Sequence, residues 1–147
     1  MDNYEEQKIQ IIHKEIDLIQ SVINRMAKNS FLIKGWLISL VVVILALKPN
    51  EVNINLSVII LGIVTIAFWY LDAFFLKTEK IYREMYEFVI QEREKGVFDN
   101  LYNLNPSKLP SNIKKKYPNI LEVMISKTLR WFYLILLVAL ILMYINY

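Results

Sequence analysis

Cysteine is absent from the 147 residues, which removes disulfides, thiolate metal ligands and cysteine nucleophiles together. Histidine occurs once, at His13; a Ser–His relay or a histidine-ligated metal needs more partners than that. The three glycines, at 35, 62 and 96, stand too far apart to make a phosphate-cradling loop. Paired carboxylates at Glu5–Glu6 and across Glu84–Glu87 have lysines nearby and read as surface charge. Neither catalysis nor a cofactor is expected. No apolar leader opens the chain either: the first thirty residues are charged and amphipathic. A cleavable signal peptide is therefore not expected, and insertion falls to internal segments.

What the chain has in excess is apolar residues. They make up 56% of it, against about 45–50% in a soluble domain, and they come in three blocks. Phe31–Leu47 would span about 25 Å as a helix, and Leu56–Leu76 about 31 Å. The third block, Leu129–Tyr147, ends the sequence. A bilayer core asks for about 20 such residues, with roughly 17 as a lower bound. An all-α integral membrane protein follows, with three long helices that continue into a cytoplasmic helical region. Two spans plus a buried helix is the weaker arrangement. The expected order is an amphipathic helix (1–30), a first span (31–47), an outer loop (48–55), a second span (56–76), a basic region with a loop (77–128) and a third span (129–147).

Basic residues supply the orientation. Five lie between Met1 and Lys34, one at Lys48, eleven between Lys77 and Arg130, and none beyond. If the runs alternate, sixteen of the seventeen fall on one side. The positive-inside rule makes that side the cytoplasm. Trp36 and Trp131 then sit at the headgroup level of their spans.

Helical period is clearest at the start. Ile9, Ile12, Ile16, Ile19, Ile23 and Met26 are spaced 3-4-3-4-3, the seam of a coiled coil. An amphipathic helix lying on the membrane or on other helices fits the same spacing. The register continues through Ile33, Leu37, Leu40, Ile44 and Leu47, so one helix of about 43 residues is expected, ended by Pro49 and Asn50. The second span runs on without proline to a stop at Gly96. From Val97 to Pro118, three prolines and four asparagines predict a loop with one short helix. Pro118 then suits the first turn of a helix running into the third span.

Asp72 is the anomaly. It follows an uncharged run, Leu56–Leu71, and four apolar residues separate it from Lys77. A carboxylate at that depth is costly unless met by a partner. Lys34 lies at similar depth, so a Lys34–Asp72 ion pair is expected, with Arg130 as the alternative partner. Two roles stay open: anchoring and packing at the interface, or a gate or charged pore mouth. For a pore, Ile33, Leu37, Leu40, Ile44 and Leu47 would form an apolar constriction with the Lys34–Asp72 pair as its gate, or the second span, with Gly62 and with Thr65 and Asp72 seven residues apart, would line the path. Isoleucine at both seam positions favours trimers or tetramers over dimers, and a homo-oligomer is expected, a tetramer by preference. No inverted repeat points to a transporter.

The basic region carries eleven positive and seven negative residues, a net charge of +4 between Lys77 and Arg130. Lys77, Lys80 and Arg83 interleave with tyrosines, and Lys114, Lys115 and Lys116 stand beside Tyr117. Cations beside stackable rings suit a nucleotide or a single-stranded oligonucleotide. Anionic membrane lipid suits them as well.

Where the second run meets its charged continuation, Trp69, Tyr70, Leu71 and Asp72 precede Glu79, Tyr82, Arg83 and Tyr86. This W-Y-L-D…E…Y-R…Y signature beside an amphipathic leading helix resembles small membrane effectors of bacterial antiviral defence operons. The Hailong type is the most similar, with the two-span effectors of nucleotide-signalling systems as relatives. The resemblance covers the pattern from Lys8 to Glu87; the Val97–Pro118 loop has no counterpart in it. It implies a bacterial inner-membrane protein and a nucleotidyltransferase partner that makes a nucleic-acid-like oligomer. That ligand would control a tetrameric, channel-like assembly whose opening depolarises the cell. A non-conducting membrane anchor that docks a cytoplasmic partner is the other class of function the residues allow.

Overall fold

The computed structural model describes residues 3–46 and 54–146. Among the described residues there is no strand. Two helices dominate: α1 (Asn3–Ala46), of 44 residues, and α2 (Ile54–Glu94), of 41. Their lengths follow from what interrupts them, which is one glycine each and no proline; a lone glycine costs a helix only about 1 kcal/mol. The expected outer loop lies outside the described residues, as do Leu47 and the proline stop, apart from residues 54 and 55, which open α2.

Gly96 ends α2 as its sequence position predicts. At φ +77° it takes the left-handed conformation. Its N–H donates to the Arg93 carbonyl while the Val97 N–H reaches back to that of Glu92. These crossed bonds satisfy carbonyls that the helix end would otherwise leave free. Beyond it come a 3₁₀ turn (Pro106–Lys108) and the one-turn helix α3 (Ser111–Lys114).

The single helix expected from Pro118 into the third span is instead two. α4 (Ile120–Met124) carries a capping box between Asn119 and Glu122, and α5 (Lys127–Asn146) starts afresh. The break falls at Ile125–Ser126, where the Ser126 carbonyl accepts from the Leu129 and Arg130 N–H groups. Serine is among the residues that most favour a helix start, and Val123 and Ile125 are β-branched residues of lower helix propensity. The apolar period that suggested continuity is blind to that local competition.

By its contacts the chain divides into two compact units. The first combines Met1–Ala27 with Lys77–Pro118. Its core is Ile19, Ile23, Met85, Val89, Leu109 and Ile113, with Tyr82 and Tyr86 packed against it. Here the α1 stripe expected as a seam between copies meets its own chain at Ile19 and Ile23. Ile12, Ile16 and Met26 are half-buried and Ile9 is exposed.

The second unit combines Lys28–Leu76 with Asn119–Tyr147. Leu37, Ala73, Val123, Leu129 and Tyr133 form one buried cluster. Val58, Leu61 and Leu140 form another, with Leu40 and Ile44 packed on it. The row proposed as a constriction thus packs within one chain, and Leu37 has no exposed surface at all. The outer faces are apolar too: Phe31, Trp36, Ile63, Trp131 and Ile135 are all exposed. A surface of that kind suits hydrocarbon rather than water. Three helices, over Glu6–Ile44, Asn55–Glu94 and Lys127–Ile145, are long and apolar enough to cross a membrane.

Candidate functional site

Within the second unit, Asp72 is completely buried, and α1, α2 and α5 each contribute to the cluster around it. Lys34 Nζ lies 2.5 Å from Asp72 Oδ2. Ser30, one turn before Lys34 on α1, donates its hydroxyl to Oδ1 at 2.5 Å and accepts from Lys34 Nζ at 3.0 Å. From α5 the Tyr133 hydroxyl donates to Oδ2 at 2.9 Å, with the Phe68 carbonyl at 3.4 Å as its weaker acceptor. The carboxylate therefore has three donors, one of them charged. That is the compensation a buried anion requires. Lys34 keeps a fifth of its side chain exposed while Asp72 has none, so the lysine end of the pair reaches the surface of the unit.

Aromatic packing fixes the tyrosine. Trp69 stacks on Tyr133 with ring centroids 5.5 Å apart and planes 6° from parallel, and Phe132 meets it edge-on at 5.0 Å. Trp69 Nε1 in turn donates to the Met124 carbonyl at 3.0 Å, which satisfies an acceptor left over at the end of α4. So the break between α4 and α5 is tied to the residue that holds Tyr133.

The expected Lys34–Asp72 pair is present. Arg130, the alternative partner, makes no ion pair with Asp72; its guanidinium lies 5.2 Å over the Trp131 ring, and its buried Nε has no hydrogen-bond partner. Thr65 shares the Asp72 face as its spacing requires, but it is fully buried and its hydroxyl turns back to the Leu61 carbonyl at 2.7 Å. Neither Thr65 nor Leu37 borders open space within this chain.

The basic residues belong to the first unit and are only partly gathered. Lys116 Nζ approaches Glu84 Oε2 at 3.2 Å without the alignment of a hydrogen bond. Lys80, one turn before Glu84 on α2, shares that helix face. Tyr117 completes the group; burial first, then the Glu84 carboxylate and Tyr82, raise its phenol above the ordinary tyrosine value. Arg83 is paired with Glu79 at 2.7 Å, and Lys114 donates to the Ser107 carbonyl. Lys80 and Lys115 are exposed, and Lys77 is half-buried.

A second buried ion pair was not anticipated. Glu15, 2% exposed, takes a two-pronged contact from Arg93, Nε to Oε2 at 2.8 Å and Nη2 to Oε1 at 2.9 Å. It also accepts the Tyr102 backbone N–H at 2.9 Å. Tyr102 stands at φ +59°, a conformation that a side-chain-bearing residue seldom adopts. The signal was available: Glu15 lies three residues after Ile12 and four before Ile19, inside the apolar stripe. Ser30 likewise continues that stripe, seven residues after Ile23. Tyr133 carried no such mark, because an aromatic in an apolar run looks like any other. The chain matches no known protein-family model, no curated protein and no solved structure.

Proposed function

We propose that this chain is one subunit of an oligomeric, channel-like effector of bacterial antiphage defence. It sits in the inner membrane with its N-terminus and its basic region in the cytoplasm. A nucleotide or oligonucleotide made by a nucleotidyltransferase partner controls it at the lysine-bearing face around Lys80, Lys115 and Lys116. Opening depolarises the cell.

The observation that carries the reading is the Asp72 cluster. An ionisable residue within a span is a functional site by default, and this one is held by Ser30 and Lys34 of α1 and Tyr133 of α5. Three candidate spans therefore share one electrostatic lock. Leu37, Thr65 and Asp72 are buried inside the subunit, which under this reading corresponds to a closed state. A conducting path along these residues needs the helices to part and the cluster to open. The signature from Trp69 to Tyr86 supports the same assignment through its resemblance to defence effectors.

The same burial favours a second reading, a non-conducting anchor that docks a cytoplasmic partner, because the Asp72 carboxylate is already answered within one chain. Induced expression in bacteria loaded with a potential-sensitive dye separates the two. Under the channel reading, Asp72→Asn weakens the lock and depolarises cells at a lower expression level than wild type. Under the anchor reading, both proteins leave the potential unchanged, and that result would retire the channel.

A further inference from the structure

Where α4 gives way to α5, the second unit holds two polar side-chain atoms that nothing answers. Arg130 Nε and Ser126 Oγ are both screened from solvent and have no hydrogen-bond partner among the described residues, so neither protein nor water satisfies them. They stand four residues apart at the start of α5, a spacing that puts them on one helix face. Lys127, beside them, is exposed. No carboxylate pairs with Lys127 or Arg130 among the described residues. Glu122 is the one acidic residue from Asn119 to Tyr147, and its carboxylate is turned back onto the Asn119 N–H at 3.2 Å. We propose that this junction binds the phosphate of an anionic membrane phospholipid, held by the Arg130 guanidinium with Ser126 and Lys127 as further donors.

Charge and geometry select a phosphate. A guanidinium without a carboxylate is an idle fork, and its paired N–H groups match two phosphate oxygens at once. Its contact is with the Trp131 ring, 5.2 Å away. Such a cation–π contact leaves the N–H groups unbonded, so a turn of the long side chain can carry the fork to an anion.

The apolar surroundings select a lipid. Leu121 and Ile125, one helical turn apart, are each 61% exposed, and Trp131 is 59% exposed. With a water-soluble phosphate or a nucleotide in the site, these surfaces would stay in water. Beside a phospholipid they enter the acyl boundary while the cations remain with the headgroups. Depth agrees: the third helix able to cross a membrane begins at Lys127, and headgroups lie where its hydrocarbon run starts. The site shares no residue with the lysine face of the first unit, and it requires neither conduction nor a nucleotide.

Native mass spectrometry of the full-length protein, released from detergent after incubation with equal amounts of phosphatidylglycerol and phosphatidylcholine, tests this. One phosphatidylglycerol per subunit should be retained, in preference to phosphatidylcholine by about fivefold or more, the worth of one basic residue near an anionic surface. Arg130→Gln should abolish the preference. Arg130→Lys keeps the charge without the fork and should lose most of it. Arg130 makes no hydrogen bond or ion pair among the described residues, so both variants should melt in detergent as the wild type does. Lys28→Gln, at an exposed lysine of the same unit, should leave the preference in place. Equal retention of the two lipids by the wild type would overturn the proposal. So would a preference that survives in Arg130→Lys, or one that falls as far in Lys28→Gln as in Arg130→Gln, since either marks diffuse attraction to basic residues and not a built site.

Discussion

Two acid–base pairs are buried in this molecule, one in each unit, and both join α1 to α2. In the first unit a guanidinium grips Glu15 with two parallel bonds, and the exposures of the two side chains are 6% and 3%. In the second an ammonium meets Asp72 as a single point charge, backed by two hydroxyls, and a fifth of the lysine side chain is open. A planar fork fixes geometry through two parallel bonds; an ammonium on a flexible stem is a point charge without that constraint. The contrast teaches that Glu15–Arg93 is fixed by a two-bond fork, whereas Lys34–Asp72 is held by one point charge and two hydroxyls.

The sharpest way to break that comparison is to remove one partner from each pair. Arg93→Ala leaves a buried carboxylate with only the Tyr102 N–H, and should cost about 3–5 kcal/mol. Limited proteolysis should then cut the 97–110 loop, whose Tyr102 conformation Glu15 holds. Lys34→Ala should cost less, about 1–3 kcal/mol, since two hydroxyl donors to the carboxylate remain. Equal destabilisation of the two variants in thermal melts in detergent would erase the distinction. Arginine should replace Lys34 with little loss, whereas Arg93→Lys should lose most of what Arg93→Ala loses.

Smaller effects sharpen the picture around Asp72. Tyr133→Phe keeps both ring contacts and removes one bond to a charged group, for about 1.5 kcal/mol. Trp69→Phe keeps a ring beside Tyr133 but frees the Met124 carbonyl, for about 0.5–1 kcal/mol; its mark should be faster amide exchange at the α4–α5 junction. The smallest effect concerns Tyr117. Its pKa is raised from 10.0 by burial, then Glu84, then Tyr82. The folded state thus holds that proton more tightly than the unfolded one. The contribution is present below pH 10 and lost as pH climbs from there through the folded value. Tyr117→Phe should make the melting temperature fall less steeply above pH 10 than in wild type.

Much of this architecture was legible from spacing and from interruptions. The lengths of α1 and α2 followed from missing prolines, the end of α2 from Gly96, and the Lys34–Asp72 pair from two charges at matching depth. What was not legible depended on local competition or on identity hidden by context. Ser126 as a helix start was masked by the apolar residues around it. Tyr133 looked like hydrocarbon until its hydroxyl met Asp72. The isoleucine stripe left two partners open, a second copy or the chain's own helices, and Ile19 and Ile23 turn toward Met85 and Val89 of the same chain. A period states which face is apolar and not what covers it.

Conductance across a planar bilayer, recorded for the purified wild-type protein and for Asp72→Asn side by side, bears most directly on the lock. The account predicts a quiet wild type and discrete openings for the variant, whose neutral amide no longer holds Lys34. Silence from both, or equal open probability in both, would contradict it.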